Sequence, residues 1–327
     1  MKKKYRVGIM GTANIAKRSL IPTFFSSDRF EVKAIASRSI SKAEDIAKYY
    51  PGCKAYAGYS DICQDPEIDL IYCPLPTGLH YEHIVEALEN DKHVMSEKSL
   101  GQNYDEVKKM VQLAKDKNLL LIENFQFRFH SQHKWVKDII ANGDIGDVRC
   151  FRSSFGFPPF PDGDINIRYN KSLGGGALLD AGAYTLKAMQ FILPEYKFKL
   201  KAASLTRPEK QEVEIFGGAF LASEEGITAE LAFGFDNYYQ CNYEIWGSKG
   251  KITVTRAFTA REDYKPTIVL EKQGDLQNIV LPADNHFAGM VNHVAYCLDN
   301  EEYEDEYAQN LSQSSYITAI KNYVYGK

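Results

Sequence analysis

Apolar residues in the first 124 positions occur in short runs that alternate with stretches of helical periodicity. Continuous apolar runs of this length are typical of strands that are buried on both faces. The predicted strands are residues 5–10, 31–36, 54–56, 69–74, 92–96 and 119–123, and the predicted helices between them include residues 41–49, 81–90 and 103–117. This alternation predicts an α/β fold whose N-terminal domain, residues 1–124, is built on a doubly wound parallel sheet.

From residue 125 onward the pattern changes to consecutive strands. After a predicted helix at residues 131–141, the predicted strands are residues 148–157, 198–207, 213–222, 228–235, 240–246, 251–255, 267–272 and 277–281. Strands without intervening helices indicate an open, mainly antiparallel sheet, so residues 125–327 are predicted to form a second α/β domain. Predicted helices at residues 286–299 and 308–325 would pack on this sheet or on the first domain, and the acidic run 301–306 is expected to be a solvated loop.

The first strand leads into a turn of small residues that resembles a dinucleotide-binding fingerprint. Gly11, Ala13 and Ala16 occupy the three small positions of the pattern G-x-G-x-x-G/A. If a helix begins near Thr12 to Asn14, its N–H groups and the positive end of its dipole would point at a phosphate. The alternative is an ordinary strand-turn-helix corner, because short glycine patterns often occur by chance.

The second predicted strand ends in Ser37-Arg38, about 20 residues beyond the turn, where NAD-binding proteins keep an acidic residue for the ribose 2'-hydroxyl. No carboxylate is present at this position. A hydroxyl followed by a guanidinium suits a 2'-phosphate, because arginine binds phosphate through two charge-assisted hydrogen bonds. The sequence therefore predicts NADP(H) as the cofactor and makes NAD(H) less favoured; a solvated surface arginine is the alternative.

Composition narrows the class of protein. The chain has 327 residues, 44% of them hydrophobic and 25% charged, with a net charge of -4, so we expect a soluble two-domain protein without nucleic-acid or membrane partners. No apolar core of a signal peptide follows the opening MKKKYR, which predicts a cytoplasmic protein. The six cysteines form no C-x-x-C pair and the seven histidines no H-E-x-x-H motif, so reduced thiols and no catalytic metal are expected.

Two further motifs carry candidate chemistry. Glu97-Lys98-Ser99 stands at the end of a predicted parallel strand, where a lysine could stabilise negative charge on a carbonyl oxygen; an exposed Glu-Lys pair is the alternative. Residues 174–184 read GGGALLDAGAY, and three consecutive glycines indicate a backbone in close contact with another group or in an unusual conformation. The helical sequence that follows places Asp180 and Tyr184 four residues apart on one face, although Asp180 could simply cap the helix and Tyr184 simply pack.

Together these motifs resemble the glucose-fructose oxidoreductase, inositol dehydrogenase and MocA (Gfo/Idh/MocA) family of NAD(P)-dependent oxidoreductases. The resemblance rests on the fingerprint turn, Pro76-Thr77-x-x-His80, Glu97-Lys98, the phrase GDIG at residues 143–146 and GGGALLDAGAY, and it covers almost the whole chain. The resemblance implies a Rossmann domain for residues 1–124, followed by an α/β domain with an open antiparallel sheet. Tyr184 is similar to the tyrosine of the glucose-fructose oxidoreductase, xylose and dihydrodiol dehydrogenase branch and of nucleotide-sugar 3-ketoreductases. Among these, the 3-ketoreductases are most similar to GTANIA followed by Leu20-Ile21-Pro22, to Ser37-Arg38 and to LGGGALLDAGAYTLKAMQ. This chain departs from the family by having Ser99 where the family has proline, and alanines at two fingerprint positions.

The resemblance implies that Lys98 and Tyr184 form the catalytic pair, with Tyr184 as the proton donor, Lys98 holding it and Asp180 positioning a substrate hydroxyl. The residues expected to bind the cofactor are Gly11, Thr12, Ala13, Asn14, Ile15, Ser37, Arg38, Leu75, Pro76, Thr77, His80, Glu97 and Lys98. Residues 155–168, rich in proline and aromatic residues, could form a substrate lid or a plain loop.

The activity implied is NADP-dependent transfer of hydride between the nicotinamide and a carbohydrate, with reduction of a keto group of a sugar or nucleotide-sugar. A free-sugar or diol dehydrogenase working in the oxidative direction is one alternative, and a non-catalytic NADP-binding sensor or scaffold is another. A broad sheet with one uncovered face would need a partner, so a homodimer or homotetramer is expected.

Overall fold

The structure, a computed structural model, divides the chain into two units that are interleaved in sequence. It describes residues 3–159 and 166–326, so residues 160–165 of the predicted lid lie outside the described residues. One unit comprises residues 1–124 and 287–314, and the other comprises residues 125–286 and 315–327. One boundary lies at residue 124, where the first predicted domain ends, and residues 287–314 of the second predicted domain fall in the first unit.

The first unit contains a parallel sheet of six strands in the order β3-β2-β1-β4-β5-β6. Its strands are β1 (Tyr5–Met10), β2 (Phe30–Ser37), β3 (Lys54–Ala57), β4 (Leu70–Cys73), β5 (His93–Glu97) and β6 (Leu121–Asn124). All four residues of β4 are buried, as expected for a central strand covered on both faces. This strand order is that of the dinucleotide-binding Rossmann fold, which confirms the predicted fold of the N-terminal domain.

The helices have well-defined ends. They are α1 (Ile21–Ser26), α2 (Ile40–Ala47), α3 (Ser60–Gln64), α4 (His80–Glu89), α5 (Tyr104–Asp116), α6 (Ser131–Ala141), α7 (Ala183–Ile192), α8 (His286–Asn300) and α9 (Glu304–Tyr325). The clearest start is that of α5, where the Asn103 side chain accepts a hydrogen bond from the Glu106 N–H at 3.0 Å and its amide donates to the Glu106 carboxylate at 2.8 Å. Two π-helical turns, Ala16–Leu20 and Leu178–Gly182, lead into α1 and α7.

Hydrogen bonds explain why part of the C-terminal sequence belongs to the first unit. From α9, the Tyr307 hydroxyl donates to the Leu119 carbonyl at 2.5 Å and the Asn310 amide donates to the Leu121 carbonyl at 2.9 Å. From α8, Asp299 accepts from the Tyr5 hydroxyl at 3.0 Å. The two bonds from α9 satisfy carbonyl groups in and just before β6, which stands at the edge of the sheet, and the bond from α8 reaches β1.

The acidic run at residues 301–306 differs from the predicted solvated loop. Helix α9 begins at Glu304, so three acidic side chains lie in its first turn, where the helix dipole favours negative charge. Glu306 is buried and accepts a hydrogen bond from His293 at 2.9 Å, and Tyr303 is buried as well.

In the described part of the chain, no helix is both long enough and apolar enough to cross a membrane.

The second unit is built on a sheet of eight strands in the order β14-β13-β12-β11-β7-β10-β9-β8. The strands are β7 (Val148–Gly156), β8 (Lys199–Thr206), β9 (Phe216–Ala222), β10 (Thr228–Gly234), β11 (Gln240–Gly247), β12 (Gly250–Val254), β13 (Thr267–Lys272) and β14 (Asp275–Val280). Neighbouring strands are antiparallel except β7 and β10, which pair in parallel. The predicted open, mainly antiparallel sheet is therefore confirmed.

One face of this sheet carries the core of the second unit. On β7, Phe151 and Phe155 are buried whereas Arg152 points to the opposite face, where it forms ion pairs with Glu230 at 2.8 Å and Glu244 at 3.4 Å. Strand residues alternate between the two faces, so the buried set packs against α7 and the charged set is left on the other side.

Candidate active site

The fingerprint turn at the end of β1 has the geometry of a phosphate-binding loop. Gly11 has a φ of 127°, a conformation that other residues rarely adopt, and its N–H donates to the Ala36 carbonyl at 2.9 Å. A side chain at Gly11 would place its Cβ 3.0 Å from Leu75 Cδ2. The next residues, Thr12 to Ile15, are partly or fully exposed and lead straight into the π-helical turn. This turn can therefore present N–H groups to a diphosphate without obstruction.

The end of β2 provides the expected cationic position. Ser37 is buried and its hydroxyl accepts a hydrogen bond from the Ser39 N–H at 3.3 Å, while the neighbouring Arg38 is exposed. Within the described residues Arg38 forms no ion pair. A guanidinium without a carboxylate partner at the end of the second Rossmann strand suits a 2'-phosphate, so these residues fit a phosphorylated dinucleotide.

The predicted cofactor residue His80 is completely buried. Its Nε2 lies 2.7 Å from the Leu75 carbonyl oxygen and its Nδ1 lies 2.9 Å from the Ser99 carbonyl oxygen. Burial lowers the pKa of His80 to about 4, and the two carbonyl oxygens oppose this effect only in part. The ring has no exposed surface, so its visible role is to join the loop after β4, which contains the partly exposed Pro76 and Thr77, to the loop after β5.

The loop after β5 carries Lys98 and is held from several sides within the first unit. The Glu97 carboxylate accepts hydrogen bonds of 2.7 Å from the Tyr72 hydroxyl and 2.7 Å from the Asn124 amide. Glu123 accepts from the Leu100 N–H at 2.8 Å, and the peptide bond between Lys98 and Ser99 is cis. Enclosure in the sheet raises the pKa of Glu97, against the opposing effect of its two donors. Lys98 therefore projects, partly exposed, from a loop whose flanking residues are fixed.

The triple glycine of the second unit shows both features inferred from the sequence. Gly174 and Gly176 have φ values of 75° and 118°, and a Cβ on Gly175 would lie 2.4 Å from the Arg168 carbonyl oxygen. A Cβ on Gly176 would lie 2.5 Å from Glu214 Oε1. Since Glu214 Oε1 accepts a hydrogen bond from the Leu178 N–H at 3.1 Å, the glycines allow a buried carboxylate to cap the turn that carries Asp180.

Tyr184 stands in the first turn of α7, inside a cage of four phenylalanine rings. The ring centroids of Phe125, Phe127, Phe155 and Phe258 lie 5.4, 6.0, 5.1 and 5.6 Å from that of Tyr184. The residue is 9% exposed, so the aromatic ring is fixed in one orientation. Three residues later, Lys187 is buried with its ammonium 5.5 Å from the centre of the Phe125 ring.

Asp180 is paired with an arginine that belongs to the predicted lid. Arg168 Nε donates to Asp180 Oδ2 at 2.5 Å, and the carboxylate raises the pKa of the guanidinium. Asp180 thus forms an ion pair with Arg168 four residues before Tyr184, and both side chains are partly exposed. Lys98 belongs to the first unit, whereas Tyr184 belongs to the second. The sequence interpretation missed Glu214 and the pairing of Arg168 with Asp180, since neither residue forms part of a local motif.

A Rossmann sheet with a glycine turn after β1 and an arginine after β2, followed by a separate sheet domain, is an architecture typical of nicotinamide-dinucleotide-dependent oxidoreductases. Sequence comparison agrees: residues 5–125 match the model of an oxidoreductase family with an NAD-binding Rossmann fold, and residues 133–253 match the Gfo/Idh/MocA C-terminal domain. The chain belongs to the Gfo/Idh/MocA oxidoreductase family. Within the described residues, no group of three histidine, cysteine, aspartate or glutamate side chains could hold a metal ion.

Several relatives are similar over most of their length. The chain is 41% identical over 285 residues to a dTDP-3,4-didehydro-2,6-dideoxy-alpha-D-glucose 3-reductase of Saccharopolyspora spinosa, covering 87% of this chain and 85% of the relative. It is 36% identical over 317 residues to the enzyme of the same name from Actinomadura kijaniata, covering 97% and 94%. A crystal structure of a 3-ketoreductase from Actinomadura kijaniata in complex with NADP and TDP-benzene matches with a TM-score of 0.94 at 35% identity, covering 98% of both chains.

Proposed function

We propose that this protein uses NADPH to reduce a keto group of a nucleoside-diphosphate-linked deoxysugar, with the ketone at C3 as the preferred position. The observation that carries the proposal is 41% identity, over 87% of the chain, to a reductase named for a dTDP-linked 3-ketosugar. The residues support it because the chain has an anion-binding turn, a cationic position after β2, and a caged tyrosine next to an acidic side chain.

The cofactor's chemistry is the supply of hydride from C4 of the reduced nicotinamide. Gly11 lets the backbone approach the diphosphate, and the N–H groups of Thr12 to Ile15 would bind it, since the Gly11 N–H already donates to the Ala36 carbonyl. Ser37 and Arg38 would bind the 2'-phosphate. Leu75, Pro76 and Thr77 line the cofactor from the loop after β4. His80 and Glu97 act indirectly, because their polar atoms hold the loops that carry Thr77 and Lys98.

Tyr184 is the proton donor to the carbonyl oxygen of the substrate, and Lys98 stabilises the negative charge that develops there. An ammonium group near a phenol favours loss of the phenolic proton, which matches the direction of transfer during ketone reduction. Asp180 accepts a hydrogen bond from a substrate hydroxyl while Arg168 orients the carboxylate. Water returns a proton to Tyr184 after each turnover.

The test is an assay of NADPH oxidation with purified protein. The substrates are 3-keto and 4-keto nucleotide-sugars beside the corresponding free ketosugars, and each assay is repeated with NADH. We expect turnover with the nucleotide-linked ketones and a preference for NADPH. Reduction of no ketone, together with oxidation of free sugars or diols by NADP, would instead support the dehydrogenase alternative. NADPH binding without turnover of any compound would support the sensor alternative.

The uncovered face of the second sheet favours a homodimer or homotetramer. Trp246, Phe220 and Leu276 are 51%, 40% and 56% exposed, and Arg152 lies among acidic residues on the same side of β7 and β10. An exposed surface that contains both large apolar side chains and paired charges is suited to a second copy of the same sheet. Sedimentation equilibrium would show a monomer mass if this proposal is wrong. A cytoplasmic location, as expected from the sequence, is part of the same proposal.

A further inference from the structure

Arg256, in the loop after β12, is held between two tyrosine rings. Its guanidinium carbon lies 5.3 Å from the centre of the Tyr239 ring and 5.7 Å from the centre of the Tyr264 ring. Its Nη1 donates a 2.7 Å hydrogen bond to the Tyr239 hydroxyl, which in turn lies 2.9 Å from the Thr259 hydroxyl. Aromatic contacts and one hydrogen bond therefore fix the side chain without using most of its N–H donors.

The charge of Arg256 has no carboxylate partner within the described residues. Three other arginines of the second unit do have one: Arg152 pairs with Glu230, Arg168 with Asp180, and Arg261 with Asp263. A half-buried guanidinium that is oriented by aromatic rings but left without an anion is suited to bind one from solution.

Arg256 is connected to the Tyr184 cage by a short series of contacts inside the second unit. Phe258, whose ring lies 5.6 Å from that of Tyr184, donates its backbone N–H to the Cys241 sulfur at 3.4 Å. Thr259 contacts the same sulfur at 3.4 Å and also contacts Tyr239. The guanidinium and the proposed proton donor thus lie at the same end of the sheet, where β7 and β10 end and β11 begins.

We propose that Arg256 binds the diphosphate of the nucleotide-linked substrate, and that Tyr239 and Tyr264 position it for that purpose. The inference rests on the proposed function, because only a substrate with a diphosphate needs such a group. In a nucleoside-diphosphate sugar the diphosphate is attached at C1, so it lies one sugar ring away from a ketone at C3. Arg256 then distinguishes nucleotide-linked ketosugars from free ones by a bidentate contact that a free sugar cannot make.

The test is equilibrium binding of dTDP, with thymidine as the uncharged comparison, measured by calorimetry on the full-length protein without cofactor. The variants are Arg256→Gln, Arg256→Lys and, as a matched control on the same loop, Arg261→Gln, whose side chain is exposed and paired with Asp263. We expect Arg256→Gln to weaken dTDP binding by about 10- to 100-fold, since a hydrogen-bonded charged group is lost. Arg256→Lys should weaken dTDP binding less than Arg256→Gln does. The dissociation constant of Arg261→Gln for dTDP should stay within about twofold of the wild-type value.

The outcomes separate this inference from the proposed function. If the wild type binds dTDP and Arg256→Gln binds it equally well, Arg256 is not the diphosphate site while the proposed function stands. If the wild type neither binds dTDP nor reduces nucleotide-linked ketones, the proposed function itself is wrong. Equal weakening by Arg256→Gln and Arg261→Gln would show a general effect of surface charge and would also overturn the assignment. Thermal melting of each variant shows whether it is folded.

Discussion

Tyr184 is held in place by contacts between its ring and neighbouring aromatic rings. Four phenylalanine rings lie with centroids 5.1 to 6.0 Å from the tyrosine ring. Two of these contacts are edge-to-face and two are tilted, and all four involve the ring and not the hydroxyl. Removal of the hydroxyl alone should consequently leave the cage intact, which makes this position suitable for separating chemistry from folding.

Tyr184→Phe should lower kcat by about 10²- to 10⁴-fold, because a positioned general acid contributes acceleration of that order. Lys98→Ala should have a similarly large effect through loss of charge stabilisation. Tyr184→Phe should bind NADPH nearly as the wild type does, measured by quenching of protein fluorescence. Unchanged turnover in both variants would rule out the proposed catalytic pair.

At the residue level, the sequence identified side chains whose chemistry is unusual for their local pattern. Lys98 and Tyr184 follow a strand end and a glycine run, so the motif itself points to them. Glu214 and Arg256 have no such signal, because a carboxylate 38 residues after the glycine run and an arginine after an ordinary strand gain their meaning only from folding. The burial of His80 could not be predicted either, because the motif P-T-x-x-H does not show which way the ring points.

Among the elements, the turn before α7 depends on the exact fit between Gly176 and Glu214. A methyl group at position 176 would have to displace a buried carboxylate whose pKa is already raised by burial, and would also occupy a φ of 118°. Gly226 provides a matched control, because its φ is 85° but nothing lies within 4 Å of its missing Cβ. The two glycines therefore share a backbone requirement and differ in the space around them.

Gly226→Ala should lower the free energy of unfolding by about 1 kcal/mol, the typical cost of a left-handed conformation in a residue with a side chain. Gly176→Ala should cost about 2 to 4 kcal/mol, because the capping bond to Leu178 is disturbed as well. Urea unfolding of both variants measures the difference. An equal decrease in the free energy of unfolding of the two variants would contradict the structural role assigned to Glu214.

Most strands and helices were predictable because each has a clear period of apolar residues. The parallel pairing of β7 with β10 could not be predicted, because a local pattern identifies a strand but not its partner. Helix α7 and strands β8 and β9 lie between these two strands in the sequence. The short helix α3 lacks enough residues to show a period. The π-helical turn Leu178–Gly182 depends on tertiary packing, because Gly182 has the Phe233 ring 3.1 Å from its missing Cβ.

For the molecule as a whole, buried histidines couple folding to pH in both units. Desolvation lowers the pKa of His80 and His93 in the first unit to about 4 each, and that of His133 and His286 in the second unit to about 3 and about 4. An unfolded histidine has a pKa near 6.5. Between these values the unfolded chain binds more protons than the folded one, so the free energy of unfolding falls as the pH drops below about 6.5.

His133 allows this coupling to be measured at one site. Its neutral ring accepts a 2.8 Å hydrogen bond from the Tyr243 hydroxyl and donates a 3.0 Å bond to the Ala257 carbonyl, so a proton would remove the acceptor and place a charge in the core. His133→Gln keeps a donor and an acceptor but does not titrate. We expect the variant to have a lower free energy of unfolding than the wild type at pH 8. Between pH 6.5 and 4, its free energy of unfolding should fall less steeply than that of the wild type, by up to about 1.4 kcal/mol per pH unit. Urea unfolding, followed by tryptophan fluorescence across that range, gives the slope of the free energy of unfolding against pH for the wild type and for the variant. Identical slopes would mean that His133 does not titrate differently in the folded and unfolded states.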